Sequence, residues 1–265
     1  MHWVIQNGPI REAGYEDLVT ALERYDIPYT EVTVVPFSAE LIPDVDPDGE
    51  VIVMGTVSLA EKVAKRKGWS PGAYTNDNFD YRVWSEKWKG SILNEDAIVC
   101  PFRHIPLEWD PFFIRPVKDN KAFSGQIMWM HEYQTWLGRL LVEEGASDLC
   151  FDIDEMVIVA SPKKIYREYR FWVVDHKVVT GSVYKIGEDV TYQDEGFIDQ
   201  ETWRFVSGHV GKPPFCIGGW APDRAFVIDV ALTEEGHKII EINCLNSAGF
   251  YKADVFKLVQ ELENV

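Results

Sequence analysis

At 265 residues, with 46% hydrophobic and 13% aromatic content, the chain is long enough for one to two domains whose cores need no disulfide or metal staple. Its 43 acidic against 26 basic residues leave a formal charge of -17, which repels phosphate backbones and argues against general nucleic-acid or anionic-membrane binding. No apolar run approaches the roughly 18 residues of a membrane span, no basic-then-apolar leader opens the sequence, and Cys100, Cys150, Cys216 and Cys244 form no CxxC pair, so reduced thiols in a cytoplasmic protein are expected.

The first hundred residues alternate strand and helix signals. Val4-Ile5 opens a short strand that ends at the turn cluster Asn7-Gly8-Pro9, and residues 15–25 place Leu18 and Leu22 at helical spacing. Strands follow at 32–35, stopped by Pro36, and at 51–54, stopped by Gly55. Ser58 is then expected to cap an amphipathic helix over 59–67 with Lys62, Lys65, Arg66 and Lys67 outward. The order strand-helix-strand-strand-helix predicts a small open α/β domain. Residues 68–96, rich in Gly, Asn, Asp and aromatics, read as an irregular segment or a partner-facing surface.

After Cys100-Pro101 the pattern changes to longer strands and hairpins, which places a boundary there and divides the chain into 1–101 and 102–265. A strand is expected at 112–115 and a helix at 129–144, closed by Gly145, with Trp129 and Trp136 on its buried side. Strands follow at 156–160, 169–174 and 178–184, the last two around the turn Asp175-His176-Lys177. A hairpin pairs 225–232 with 238–243, and a helix covers 253–264.

The most informative segment is FVIDVALTEEGHKIIEIN, residues 226–243. A five-residue loop over 233–237 sets Leu232 opposite Lys238, Asp229 opposite Glu241 and Val227 opposite Asn243. Alternation then gathers Asp229, Glu241 and Asn243 on one face, with Ile228, Val230, Ile240 and Ile242 on the other. Opposed Cβ atoms lie about 4.5–5.5 Å apart, and two carboxylates that close repel unless a positive group lies between them. A hard divalent ion such as Mg²⁺ meets that need, with an amide oxygen and phosphates completing its shell. The same residues also fit the solvated face of an ordinary hairpin.

Two further clusters carry charge. Arg115 ends an aromatic strand and is followed by Lys118, Lys121, Ser124 and Gly125, a strand and loop able to cradle phosphates without being a Walker A motif, or else an ordinary surface turn. Glu168 and Arg170 share a strand face with Trp172. They suit either contacts to a sugar hydroxyl and a phosphate or a cross-strand ion pair. His131-Glu132 begins like HExxH, but Thr135 replaces the second histidine, so no zinc site is expected.

In order, a basic strand and loop, a helix, a hinge strand, a Glu-x-Arg strand and an Asp…Glu-x-Asn hairpin resemble the ATP-grasp superfamily over roughly residues 106–255. The segments FIRPVKDNKAFSG, EYRFWVVDHKVVTGSVY and EINCLNSAGFY are similar to those of its divergent clade named for an arginine-to-lysine exchange, small phage and bacterial members especially. The resemblance implies an α/β (α+β) fold, an ATP-grasp domain preceded by a small Rossmann-like domain. It implies ATP and Mg²⁺ as cofactors, with Asp229, Glu241 and Asn243 as metal ligands. Arg115 stands where many relatives have a phosphate-binding lysine, which keeps the charge and changes the geometry. Lys118 and Lys121 take the phosphate loop, Val159, Ala160 and Ser161 the hinge that meets adenine, and Glu168 and Arg170 the acid-x-Arg strand. Lys185 takes the place where most relatives carry an arginine for the acyl-phosphate, and Asn246, Ser247 and Tyr251 follow the metal strand toward an acceptor pocket.

The expected activity is a carboxylate-amine ligase acting through an acyl-phosphate, on an acid and an amine the sequence does not name, with a peptide or protein as a family-level expectation. A nucleotide-dependent assembly or binding protein without turnover is the alternative, favoured by the aromatic 68–96 segment, and a kinase is a third option. Replacing Asp229 or Glu241 by alanine is expected to abolish Mg²⁺-dependent tightening of ATP and leave the fold intact, whereas Ile240→Asp is expected to damage the core.

Overall fold

The computed structural model describes residues 1–7, 14–35, 38, 40–106, 108–118, 123–142, 152–211 and 220–265. Lys121, Gly145, Cys150 and Cys216 lie outside the described residues. The chain gathers into two compact units, one formed by Met1–Phe79 with Ile165–Val265 and the other by Asp80–Lys164. Residue 101, expected as a boundary, falls within the second unit.

In the first unit, β1 (His2–Gln6), β2 (Tyr29–Val34), β3 (Leu41–Ile42), β4 (Val51–Met54) and β5 (Pro71–Gly72) form a sheet in the order β3-β2-β1-β4-β5, parallel except at β3. A parallel strand covered on both faces buries every side chain, and all four residues of β4 are buried. Helix α1 (Tyr15–Arg24) turns Leu18, Ala21 and Leu22 onto this sheet's core. Ser58 does not cap the next helix. Val57 already has right-handed helical angles, so Ser58 lies inside a π-helical stretch, Ser58–Val63, that runs into α2 (Ala64–Lys67). Leu59, Ala60, Val63 and Ala64 all reach the core there.

The second unit begins with a helix, α3 (Tyr81–Lys87), capped by Asp80, whose side chain accepts from the Arg82 N–H at 2.9 Å. Its aromatics are interior: Tyr81, Trp84 and Trp88 are buried, with Tyr81 and Trp84 edge-to-face at 5.1 Å. This part of residues 68–96 is therefore helical rather than irregular, and these three aromatics are interior. Strands β6 (Ile98–Pro101), β7 (Phe112–Pro116), β8 (Gln126–Met128) and β9 (Met156–Ala160) form an antiparallel sheet ordered β6-β9-β7-β8. Helix α4 (Met130–Val142) shares a core with it around Phe102, whose ring lies 4.7 Å from Trp136 and 5.3 Å from Tyr133. Trp129, expected on the buried side, precedes the helix and is 49% exposed.

The rest of the first unit is an antiparallel sheet of β10 (Arg167–Val174), β11 (Lys177–Ile186), β12 (Asp189–Gln193), β13 (Ala225–Thr233) and β14 (Gly236–Cys244), ordered β12-β11-β10-β13-β14. Helix α5 (Gln200–Val210), capped by Asp199, brings Trp203 edge-to-face onto Phe171 at 5.1 Å. The Phe171 ring fills the space beside Gly181, where a Cβ would stand 2.7 Å from it. On the other face Trp172, Val174, Ala225 and Val227 join Trp3, Ile5, Leu22 and Ile52 in one core, closed by Leu258 and Val259 of α6 (Val255–Glu263). The two sheets of this unit thus share apolar residues from both ends of the sequence. No helix among the described residues is long and apolar enough to cross a membrane.

Candidate functional site

The β13–β14 hairpin sets Asp229 opposite Glu241 and Val227 opposite Asn243, the register expected from the sequence. Its loop is not the expected one. Thr233 pairs with Gly236, leaving a two-residue turn of Glu234 and Glu235, and Leu232 faces His237 rather than Lys238. Gly236 makes this possible with a φ of 94°, and the Thr233 hydroxyl donates to the Gly236 carbonyl at 2.8 Å. The ladder slips by one residue between Asp229 and Val230, so Ile240 becomes the extra residue of a β-bulge. The bulge restores the register at the carboxylates and changes which isoleucine is interior: Ile239 is fully buried and Ile240 only partly.

Asp229 and Asn243 are each 2% exposed, and Glu241 is half-buried. The Asn243 amide donates to Glu241 Oε1 at 2.9 Å. Among the described residues, no group of three or more His, Cys, Asp or Glu side chains gathers as a metal cluster. The hairpin instead offers two carboxylates and one amide oxygen. That all-oxygen set fits Mg²⁺, which keeps several waters and takes phosphate oxygens beside one or two protein carboxylates.

Asp229 already has a cationic partner. Arg170 of β10 lies directly across from it and forks onto it, Nε to Oδ1 and Nη2 to Oδ2, both at 2.8 Å. The pair is buried, Arg170 being 9% exposed. Burial alone would lower the arginine's pKa, but the Asp229 charge and hydrogen bonds outweigh it and hold the guanidinium firmly protonated. Arg170 also lies over the ring of Tyr251 at 4.8 Å and that of Tyr184 at 5.8 Å. Tyr251 takes a left-handed backbone, φ 52°, uncommon for a bulky residue, and Tyr192 stacks on its ring at 4.8 Å.

Glu168, two residues before Arg170, joins the same cluster. It pairs with Lys185 on β11, Nζ to Oε1 at 3.1 Å, and accepts from the Tyr184 hydroxyl at 2.7 Å. Consecutive strand residues ordinarily point to opposite faces. Here the β10–β11 ladder is irregular, with Val183 opposite Tyr169 and Lys185 opposite Glu168, so Tyr184 is the bulged residue and both neighbours reach one carboxylate. Burial, followed by the Asp229 and Glu168 charges, pushes the Tyr184 phenol well above its ordinary pKa.

In the second unit Arg115 is 5% exposed on β7 and donates from Nε to the Pro116 carbonyl at 3.2 Å. Burial raises the Tyr81 phenol to about 12, against the opposing pull of the Arg115 charge. Lys118 is exposed. Val159 and Ala160 are buried at the end of β9. Ser161, next in the expected hinge, donates its backbone N–H to Asp96 Oδ2 at 3.1 Å and its hydroxyl to the same oxygen at 2.6 Å, while Lys163 Nζ joins that oxygen at 2.8 Å. Burial would raise the Asp96 pKa, but these hydrogen bonds and the lysine charge more than offset it and hold it below the ordinary aspartate value.

The first unit also carries a surface cleft of about 520 Å³ lined by Lys177, Val179, Glu195, Trp203, Lys257 and Glu261, none of them a candidate site residue. Its lysines are neutralised locally, Lys177 by Glu261 and Lys257 by Glu195.

The family model for the ATP-grasp domain of the arginine-to-lysine clade, family 3, matches residues 47–262. The chain belongs to this ATP-grasp family. No curated protein matches its sequence. Among solved structures, the ATP-grasp chain is similar to the D-alanine–D-alanine ligase of Bacillus anthracis complexed with ATP, at a TM-score of 0.61 and 12% identity, covering 99% of this chain and 96% of that one. D-cycloserine synthetase DcsG gives 0.60 at 12% identity, with 100% and 99% covered. The ATP-grasp ligase PsnB complexed with a minimal precursor gives 0.55 at 12%, with 99% and 98% covered. At this identity the likeness is one of fold.

Two features of the ATP-grasp chain's polar network escape a reading of the sequence. Asp96, 65 residues before Ser161, holds the expected hinge, and nothing local in the sequence links the two. The tyrosines around Arg170 come from three places, Tyr184, Tyr192 and Tyr251. Tyr251 is legible as the end of the EINCLNSAGFY segment, whereas the roles of Tyr184 and Tyr192 depend on a bulge and on an edge strand of weak pattern.

Proposed function

We propose that this ATP-grasp ligase activates a carboxylate as an acyl-phosphate and passes it to an amine. The observation that carries the reading is the register of β13 and β14, which opposes Asp229 to Glu241 with Asn243 beside them and Arg170 clamped across. These three oxygen-bearing residues would hold Mg²⁺, which when bound neutralises charge on the β- and γ-phosphates. Arg115 and Lys121 serve the α- and β-phosphate oxygens, with Lys118 between them in the sequence. Backbone groups of Val159 and Ala160, and the carbonyl of Ser161 whose N–H is held by Asp96, meet adenine, and Glu168 meets a ribose hydroxyl. Arg170 and Lys185 stabilise charge on the transferring phosphoryl group.

In the first half-reaction a carboxylate oxygen bonds to the γ-phosphorus as the bond to the β-phosphate oxygen breaks, releasing ADP. In the second, the amine bonds to the acyl carbon, inorganic phosphate leaves, and the nitrogen gives up a proton. No protein nucleophile enters, so the work of these residues is positioning and charge neutralisation. A peptide or protein acceptor is the part of this proposal that rests on the family resemblance of the sequence alone. The cytoplasm, where ATP is abundant, is the proposed compartment, and Cys100 and Cys244 are free thiols in keeping with it.

Thermal unfolding with ATP, with and without Mg²⁺, tests the nucleotide site. A ligand at about 100 times its Kd that binds only the native state adds roughly 2.7 kcal/mol, and each kcal/mol raises the midpoint of a chain this size by about 2–4 °C. A Mg²⁺-dependent rise of several degrees is expected, followed by ADP release stimulated by an acid and an amine together. No rise at millimolar ATP overturns the ligase reading. A rise with no ADP release under any acid and amine leaves a nucleotide-dependent binder.

A further inference from the structure

We propose that Arg170 is the resident counter-cation of the metal site, so that a divalent ion enters at Asp229 and Glu241 together with the nucleotide rather than ahead of it. The inference rests on the reading of Asp229, Glu241 and Asn243 as metal ligands and concerns how that site loads.

Two carboxylates, Asp229 and Glu241, oppose each other across the hairpin; Arg170 on the neighbouring strand pairs with Asp229, and two residues away on that strand Glu168 pairs with Lys185. A cluster of acids alone would draw in a bare divalent ion. Here the arginine has both oxygens of Asp229 in a two-point fork. The guanidinium has little freedom to swing aside. Tyr251 and Tyr184 lie over it, and Tyr251, held in a left-handed backbone, is backed in turn by Tyr192. An incoming dication that shares the Asp229 carboxylate therefore approaches a positive group that cannot retreat, in a buried setting where repulsion is poorly screened.

Phosphate changes this balance. The fork uses Nε and one N–H of Nη2, and a guanidinium has five N–H donors in all. A nucleotide phosphate supplies negative charge for the remaining donors at the moment the metal begins to share Asp229. Metal and nucleotide thus relieve the same repulsion, and by linkage each strengthens the other's binding by the same factor.

Titration with Mn²⁺ as the probe, followed by electron paramagnetic resonance with and without ATP, tests the proposal on the full chain. Wild type is expected to bind bare Mn²⁺ weakly and to gain strongly when ATP is present. Arg170→Gln, neutral but able to donate one hydrogen bond to Asp229, is expected to bind bare Mn²⁺ at least tenfold tighter and to lose most of the gain from ATP. Arg170→Lys keeps the charge without the fork and is expected to stay near wild type for the bare ion. A purely structural arginine would instead weaken Mn²⁺ in both variants, and that outcome, or unchanged affinity in a folded Arg170→Gln, overturns the proposal. If Arg170→Gln does not fold by circular dichroism, the lysine variant decides: tenfold tighter or weaker bare-ion binding there sinks the idea. Glu241→Gln separates the two levels. If it leaves Mn²⁺ binding with ATP unchanged, the metal-ligand reading itself fails; if it weakens Mn²⁺ while Arg170→Gln does not tighten it, only the counter-cation fails.

Discussion

The side-chain amide of Asn246 donates to the carbonyl of Val53 at 2.7 Å, joining the segment after β14 to the parallel strand β4 from 193 residues away. The same side chain accepts the Tyr74 N–H at 2.8 Å, and its backbone carbonyl accepts from Gly55 at 2.8 Å. Asn246 is 1% exposed, so these are interior bonds that fasten the two sheets of the first unit. Its amide is committed to that fastening, although the sequence placed it beside an acceptor pocket. Asn246→Ala strands a buried carbonyl and a buried N–H and is expected to cost about 2–4 kcal/mol. Urea denaturation checks this, and a loss below about 1 kcal/mol would show that the two sheets do not depend on the bridge.

Asp229→Ala is expected to behave differently from Glu241→Gln. From the hairpin alone both sites look tolerant, but removing Asp229 leaves the Arg170 guanidinium buried without its counter-ion, a loss of about 3–5 kcal/mol. Glu241 is half-buried, and its amide variant is expected to change stability by less than about 1 kcal/mol. Both changes are expected to abolish Mg²⁺-dependent tightening of ATP, read by calorimetric titration. Joint replacement of Arg170 and Asp229 by Met and Leu should recover most of the stability lost in Asp229→Ala, because an apolar pair can stand in for a buried ion pair.

The bulge in β14 makes a paired prediction. Ile239→Asp puts an unpaired carboxylate at a fully buried position and is expected to unfold the chain or cost more than about 4 kcal/mol. Ile240→Asp, at the bulged and partly exposed position, is expected to cost less than half as much. Chemical denaturation of the two variants, side by side, measures the difference. Equal losses would place the bulge elsewhere.

Asp96 gives a pH dependence. Its carboxyl is held below the ordinary aspartate value because the bonds from Lys163 and Ser161 more than offset the effect of burial. A carboxylate whose folded pKa is depressed adds stability above its unfolded pKa, near about 4, and loses it as pH falls through the lower folded value. Wild type is therefore expected to melt higher than Asp96→Asn at about pH 7, with the gap closing below about pH 4. A gap that persists unchanged at about pH 3 would rule out this linkage.

Much of the fold is legible because its strongest elements have clear periods. The β-branched run of β4 and the alternating Asp229, Glu241 and Asn243 positions carry their own pattern, so the strands and the shared face of these residues are anticipated in the sequence. Spacing misjudges the loop, and the answer at the carboxylates survives only because the Ile240 bulge absorbs the extra residue. Periodicity does not announce a bulge. Helix α3 escapes because its apolar content is aromatic, so Tyr81, Trp84 and Trp88 resemble loop decoration until Asp80 is recognised as a cap. The Arg170–Asp229 fork is open in the sequence as a cross-strand ion pair, but its partner is not, since that depends on β10 lying beside β13 rather than on local spacing.

The first unit is written in two instalments with the whole of the second between them. Trp3, Leu22 and Ile52 share their core with Trp172, Val227 and Leu258, so a ribosome delivers one half of that core well before the other. The middle unit, continuous in sequence, has all of its partners at hand much earlier. The order of synthesis therefore differs from the order of completion: the segment made first must wait, with its apolar face uncovered, for the segment made last. Chaperone dependence during production should follow that waiting strand-helix layer, and a truncation anywhere after residue 165 should expose it.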